Sequence, residues 1–423
     1  MASVSGRAAR TGWLDIPAGS GFGLSNLPYG SATLPSHPGP RVVVAVGEQV
    51  LDLTGAAERL LPAYVGLFEK GNLDQLLAAG PALWQQIRAA LDSSLTEPEW
   101  APTLSPFVHP AAAAAMRLPF TVADYVDFYA SEHHATNVGR ILRPGTEPLT
   151  PNWKHLPIGY HGRSGTVVPS GTPVVRPCGQ RRPADGPVVF GPSTRLDFEA
   201  ELGFVVGTPS RLGESVPLQG FADHVFGVCL VNDWSARDLQ AWEYVPLGPF
   251  LGKSFATSVG PWVVPLAALD AARVPPPARD PQPLPYLDDS EAEPWGLDVQ
   301  LEVRLRGHVV SRPPFAGMYW TPAQQLAHLT VNGASLRTGD LFASGTVSGP
   351  DRDQRGSLLE LSWGGQEPLT LSDGSTRTFL EDGDEVLITA TAPGPGGNTI
   401  GFGEVRGTVA PARSVRTVAA RGS

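Results

Sequence analysis

The chain has 423 residues, enough for two or three structural units rather than one small core. Hydrophobic residues make up 42% and charged residues 17%, which excludes an intrinsically disordered chain. The formal net charge of -10, with no basic cluster, argues against nucleic-acid binding, and no run of 18 apolar residues predicts a membrane span.

Gly (48) and Pro (43) together exceed a fifth of the chain and follow no period, which indicates many turns, as in a strand-rich protein. The N-terminal "MASVSGRAARTGWLD" lacks an apolar core, so no signal peptide is expected. Cys178 and Cys229 form no CxxC motif, and a reducing, cytoplasmic setting is expected. Residues 1–118 read as one unit. "RVVVAVGEQVLDL" (Arg41–Leu53) predicts two strands around Gly47. "GNLDQLLAAGPALWQQIRAALDSSL" (Gly71–Leu95) has helical spacing, broken near Gly80-Pro81. "HPAAAAAMRLPFTV" (His109–Val122) reads as the join to the next unit, or as a helix within one continuous domain.

Residues 119–423 read as a strand-rich second unit with a few helices. "HVFGVCLVND" (His224–Asp233) predicts a buried strand, and "GLDVQLEVRLRGHVV" (Gly296–Val310) alternates strongly. "DEVLITATA" (Asp384–Ala392) and "IGFGEVRGTV" (Ile400–Val409) are late strands. "TPAQQLAHLTV" (Thr321–Val331) is a helix with Thr321 as N-cap and Pro322 at its first position. No GxSxG, HExxH, P-loop or GxGxxG is present, so the serine hydrolase, zinc protease and nucleotide readings lose their main support.

Acids in apolar contexts remain. In "RLDFEAELGFVVG" (Arg195–Gly207), Asp197, Glu199 and Glu201 share one face of a strand, with Glu199 and Glu201 about 7 Å apart along the chain. Asp233 ends a buried strand, and Asp127 in "DYVDFYASEHHATNVG" has a similar setting. Converging carboxylates repel by roughly 4 kcal/mol per pair at 4 Å and an effective dielectric near 20. A hard divalent cation, Ca²⁺ or Mg²⁺, converts that repulsion into binding. Spacing alone favours a solvated sheet face for Glu199 and Glu201.

In "NDWSARDLQAWEYVPLGPFLGKSFATS" (Asn232–Ser258), Ser235 and Asp238 resemble a capping box, and Arg237, Gln240 and Tyr244 fall on one helical face. That face suits an anionic, oxygen-rich ligand or is simply an exposed polar surface. Lys253 follows in a glycine-rich loop. "HHATNVG" offers His133 and His134 for proton transfer near neutrality. Glu360, between Leu359 and Leu361 in "GSLLELSW", is a candidate orienting acid, expected on a strand.

Taken together, these segments resemble the fumarylacetoacetase family over nearly the whole chain. "FGLSNLPYG" (Phe22–Gly30), "DFYASEHHATNVG" (Asp127–Gly139), "PNWKHLPIGYHGR" (Pro151–Arg163), "LRTGDLFASGTVSG" and "MYWTPAQQL" extend the match. The resemblance implies a mostly β (α+β) fold: a small SH3-like barrel N-terminal domain (1–118), followed by a larger mixed β-roll C-terminal catalytic domain (119–423), in a homodimer. It implies metal-dependent hydrolysis of a carbon–carbon bond in a β-diketo acid, with no organic cofactor. By similarity, Asp127, Glu199, Glu201 and Asp233 bind Ca²⁺, and a second cation, Mg²⁺, lies near Asp233, Lys253 and Thr257. His134, placed by the "ATNVG" that follows it, is the base that activates water, and Glu360 orients it. Arg237, Gln240 and Lys253 stabilise the oxyanion. Tyr129, Arg143, Gln240, Tyr244 and Thr346 hold the substrate. Asp197 receives no role. The alternatives are an acylpyruvase, hydratase or decarboxylase of the same superfamily, and a non-catalytic Ca²⁺-stabilised β-protein.

Overall fold

The computed structural model describes residues 12–35 and 37–414, so most of the stretch read for a signal peptide lies outside the described residues. The expected N-terminal hairpin forms: His37–Val46 pairs antiparallel with Gln49–Asp52 around Gly47, whose φ of 60° suits glycine. These strands are the middle of a five-stranded sheet ordered Val108–Pro110, Gln49–Asp52, His37–Val46, Tyr29–Leu34, Ala115–Arg117. The alanine-rich segment at 109–117 is therefore not a continuous helix. Its two ends pair with the open edges of the sheet, and only a short turn at Ala111–Ala113 bridges them. Edge pairing overrides the local helix preference of alanine. The helical segment breaks as expected, into Asp74–Leu77 and Pro81–Thr96, across Gly80.

The second unit is built on an eight-stranded mixed sheet. Its main path runs Gly159–His161, Tyr125–Phe128, Leu341–Ala343, Ala200–Val206, Val225–Asp233, Thr257–Val259, Val167–Pro169. Two pairings are parallel, Leu341–Ala343 with Tyr125–Phe128 and Thr257–Val259 with Val167–Pro169, so chain-distant segments become neighbours. Both faces of this sheet are covered. Leu202, Phe204 and Val206, with Val228 and Leu230, join a core with Leu301, Val303, Ile388 and Phe402 of a second, five-stranded sheet. Val205, Cys229, Val231 and Leu341 pack instead against Leu27, Val42, Val44, Ile87 and Leu91 of the N-terminal unit. Double-sided burial explains why Val225–Asp233 reads as a continuous apolar run rather than an alternation. The helix Pro322–Thr330 forms as expected, with a capping box between Thr321 and Gln324.

The architecture is a strand-rich mixed α+β fold. Phe204 sits at its centre, stacked on Phe342 at 5.2 Å between ring centroids and beside Phe221 and Phe315. Phe204→Ala is expected to cost about 3–5 kcal/mol of stability by leaving a cavity. Urea unfolding measures this, and a cost below about 1 kcal/mol, the range of a tolerated volume-conserving swap, contradicts this account of the core.

Candidate active site and cation site

The sheet register brings the acids together. Side chains two apart on a strand share a face, so Glu201 points to the same side as Gly203. Gly203 is paired with Ala343, and Ala343 with Asp127 on the parallel neighbour. Across the other edge, Glu201 pairs with Val231, two residues before Asp233, and the Asp233 amide donates to the Glu199 carbonyl at 3.1 Å. As a result, Asp127, Glu199, Glu201 and Asp233 each place a carboxylate oxygen within 4.8 Å of the others, and all four are buried.

Two cations reach this cluster. Lys253 Nζ donates to Glu199 and, at 2.7 Å, to Asp233. Arg237 Nη2 donates to Glu199 Oε1 at 2.7 Å. Lys253 arrives on a loop that lies against the Arg237 helix, Arg237–Glu243. A Cβ at Gly252 would sit 2.7 Å from the Gln240 backbone nitrogen, so only glycine permits this approach. Four ionised carboxylates against two cations, one of which, Arg237, is also engaged by Asp197, leave an excess of at least two negative charges. Asp127 Oδ1 and both Glu201 oxygens have no hydrogen-bond partner in the structure. Orphaned buried acceptors, an all-oxygen donor set and a twofold charge deficit fit a hard divalent cation. At the second expected cation site, Thr257 Oγ1 donates to Asp233 Oδ1 at 2.7 Å and keeps its lone pairs, whereas the Lys253 ammonium has none, so Lys253 could contribute there only through its backbone carbonyl.

Beside the carboxylates lies a histidine–carboxylate pair. Ser131 caps the helix Glu132–Leu142 and accepts from the His134 amide, which fixes the first turn. His134, and not the half-buried His133, meets Glu360: Nδ1 lies 2.6 Å from Oε2, while Nε2 faces Glu199 Oε1 at 3.6 Å. Asn137, Ser348 and Ser357 also donate to Glu360, at 2.9, 3.0 and 2.8 Å. Burial opposes ionisation of Glu360, but His134 and these donors outweigh it and hold its pKa below the ordinary value. An ionised Glu360 places the imidazole proton on Nδ1 and leaves the Nε2 lone pair facing the cluster.

The remaining expected residues divide. Tyr129 stands edge-on to the His134 ring at 5.4 Å, and Arg143 lies close enough to lower the Tyr129 pKa against the raising effect of burial. Gln240 Oε1 accepts from Arg237 at 3.4 Å. The Thr346 hydroxyl is buried without a hydrogen-bond partner in the structure. Tyr244 is the C-cap beyond the helix end and is 42% exposed.

Three local expectations are corrected. Glu360 is not on a strand. It lies in the one-turn helix Leu358–Leu361, because Ser357 accepts from its amide and starts a helix. Ser235 is not an N-cap: its hydroxyl donates to the Asp233 carbonyl, while Asp238 accepts from Ser193 and Thr194. Asp197 does not share the acidic face. The strand breaks between Leu196–Asp197 and Ala200–Val206, and Asp197 turns to Arg237 instead. Sequence reasoning missed Asn137, Ser348, Ser357 and Tyr160, whose hydroxyl donates to Asp233 at 3.3 Å. Asn137, three residues after His134 on one helix, and Ser357, three residues before Glu360 as in an S-x-x-E cap, had spacings that could have flagged them.

Burial and then repulsion from Asp233 push the Asp127 pKa well above the carboxylate range. Burial and Asp127 do the same to Glu201. Glu199 moves the other way, because Arg237, Lys253 and His134 outweigh its burial. With cations chelated, the folded chain therefore keeps protons on Asp127 and Glu201 that the unfolded chain releases near the ordinary values of 3.8 and 4.5. Where the folded state binds more protons, stability falls as pH rises. This contribution is complete below those ordinary values and is lost as pH climbs through the raised folded values. The opposite contribution of Glu199 is complete above 4.5 and leaves that window unchanged. In EDTA, the Tm is expected to fall with pH above about 5, and Asp127→Asn with Glu201→Gln should flatten the slope. An equal slope in both proteins contradicts the assignment.

A profile described as fumarylacetoacetate (FAA) hydrolase C-terminal matches residues 124–410, and one described as fumarylacetoacetase N-terminal matches residues 25–119. Fumarylacetoacetase of Rattus norvegicus is 47% identical over 418 residues, covering 95% of this chain and 99% of the rat protein. The Homo sapiens protein is 47% identical over 424 residues, with 95% and 99% covered. That of Arabidopsis thaliana is 44% identical over 416 residues, with 94% and 98% covered. Among solved structures, fumarylacetoacetate hydrolase from Exiguobacterium antarcticum superposes with a TM-score of 0.52 at 16% identity, covering 92% of this chain and all of that one. This last likeness speaks to the fold alone. With both profiles matched and near-complete coverage by relatives above 40% identity, the chain belongs to the fumarylacetoacetase family.

Proposed function

We propose that the protein hydrolyses the carbon–carbon bond of 4-fumarylacetoacetate to give fumarate and acetoacetate, the last step of tyrosine and phenylalanine degradation. One observation carries this reading at the site: a base–orienter pair, His134–Glu360, whose free nitrogen faces an all-oxygen cluster of four buried carboxylates. The family relationship supports the substrate.

His134 Nε2 takes a proton from water as the water oxygen attacks the carbonyl carbon beside the fumaryl group. Arg237, Gln240 and Lys253 donate to the resulting oxyanion; losing one such donor typically costs about 10²–10³ in rate. As the oxyanion collapses, the carbon–carbon bond breaks and its electron pair leaves as the enolate of acetoacetate. His134 returns its proton to the enolate carbon, completing the balance of one water consumed and two acids formed. Asp127, Glu199, Glu201 and Asp233 would hold a Ca²⁺ or Mg²⁺ ion, which would supply Lewis acidity to the site. Tyr129, Arg143, Gln240, Tyr244 and Thr346 hold the dianionic substrate.

The finer architecture belongs to the same reading. The five-stranded N-terminal sheet is an SH3-like unit ending near residue 118, and the rest of the chain is the catalytic β-roll. The protein works in the cytoplasm as a homodimer. Its two free cysteines support a reducing setting, and the exposed apolar run of Val245, Leu247, Phe250 and Leu251 supports a contact between copies. Among the described residues, no helix is long and apolar enough to cross a membrane.

His134→Ala is expected to fold and bind cation but to lose turnover, followed as loss of substrate absorbance, while His133→Ala keeps most of it. Equal activity in the two variants refutes the assignment of the base. Glu199→Gln with Glu201→Gln should weaken Ca²⁺ binding, and an unchanged affinity by calorimetry removes the cation from the reading.

A further inference from the structure

Asp197 is a buried acid that neither the carboxylate cluster nor the His134–Glu360 pair absorbs. Its Oδ1 accepts from the amides of Phe198 at 2.8 Å and Leu358 at 2.7 Å. Its Oδ2 accepts from the Leu359 amide at 3.2 Å and from Arg237 Nε at 2.8 Å, with Arg237 Nη2 also at 2.8 Å. The same Nη2 reaches Glu199 Oε1 at 2.7 Å. One guanidinium is therefore shared by two carboxylates of different kinds. Asp197 is pinned by three backbone amides and turned away from the cluster. Glu199 accepts from the Arg237 and Lys253 side chains, with His134 Nε2 at 3.6 Å, and points into it.

We propose that Asp197 is a positioning residue: it neutralises Arg237 and anchors it at the wall of the site, so that Glu199 stays available to the cation. The inference rests on the cation reading above. The fork geometry explains why arginine is used. Nε and Nη2 together engage Asp197, and Nη2 still has a second hydrogen to direct at Glu199, which a lysine could not reproduce. Without the Asp197 charge, the buried guanidinium would have Glu199 as its remaining counter-ion and would compete directly with the metal for it. The carboxylate also binds the first-turn amides of Leu358 and Leu359, so the turn that carries Glu360 is registered on the same two oxygens.

The test is calorimetric Ca²⁺ titration of chelator-treated wild type, Asp197→Asn, Arg237→Gln and the double variant. Asp197→Asn is expected to weaken Ca²⁺ binding by about tenfold or more, as loss of an orienting partner outside the ligand set commonly does. In the Arg237→Gln background the same substitution is expected to have little effect, because the competing cation is gone. A merely structural role for Asp197 would give an equal loss in both backgrounds, which overturns the proposal, as does wild-type affinity in Asp197→Asn. If Asp197→Asn does not fold, the double variant is expected to recover a cooperative unfolding transition, and failure of both to fold overturns the proposal. Absence of Ca²⁺ binding by the wild type is a different result: it removes the cation reading itself, and this inference with it.

Discussion

The site depends on the mutual repulsion of four carboxylates held together out of water. Asp127, Glu201 and Asp233 come from three strands of one sheet, with Leu341–Ala343 between the first two, and Glu199 comes from the break just before the Glu201 strand. Lys253 and Arg237, the latter shared with Asp197, offset at most half of that charge, and hydrogen bonds from Tyr160 and Thr257 satisfy part of what remains on Asp233. The rest stays unmet on Asp127 and Glu201. Such a concentration of negative charge is unfavourable for folding and favourable for capturing a hard cation, which locates the affinity of the site in the rigidity of the sheet.

That rigidity comes from burial on both faces. The strands carrying the acids are packed by the second sheet on one side and by the N-terminal unit on the other. The N-terminal unit contributes no expected ligand, yet Leu27, Val42 and Leu91 pack against the strand that ends in Asp233. A fold without this cover would expose Cys229 and Val231 and loosen the strand from which Asp233 projects. The base is held by a separate arrangement, a capped helix and a one-turn helix joined through Glu360. Asp197 is where the two arrangements meet, because its oxygens touch both Arg237 and the Glu360 turn.

Much of this was legible in the sequence, for identifiable reasons. Strand alternation placed Glu199 and Glu201 on one face, and the uninterrupted run before Asp233 announced a strand buried on both sides. Capping chemistry at Thr321 set a helix start correctly. What failed was local structure over very short spans. Four residues around Glu360 carry too little periodicity to separate a strand from a single helical turn, and the deciding group was the Ser357 hydroxyl. Asp197 was placed with its neighbours because alternation presumes an unbroken strand, whereas the chain breaks at 198–199. The convergence of Asp127 with Glu201 could not be read from spacing at all. It arises from a parallel pairing between segments more than 200 residues apart, and family resemblance supplied what periodicity could not.

The central claim, that a carboxylate-held divalent cation and the His134–Glu360 pair act together on a diketo acid, is tested most directly by following 4-fumarylacetoacetate absorbance with purified protein, before and after chelation. The account predicts turnover to fumarate and acetoacetate that stops on chelation and returns with added Ca²⁺ or Mg²⁺. Turnover indifferent to thorough chelation, or none on this substrate with cation bound, would contradict it.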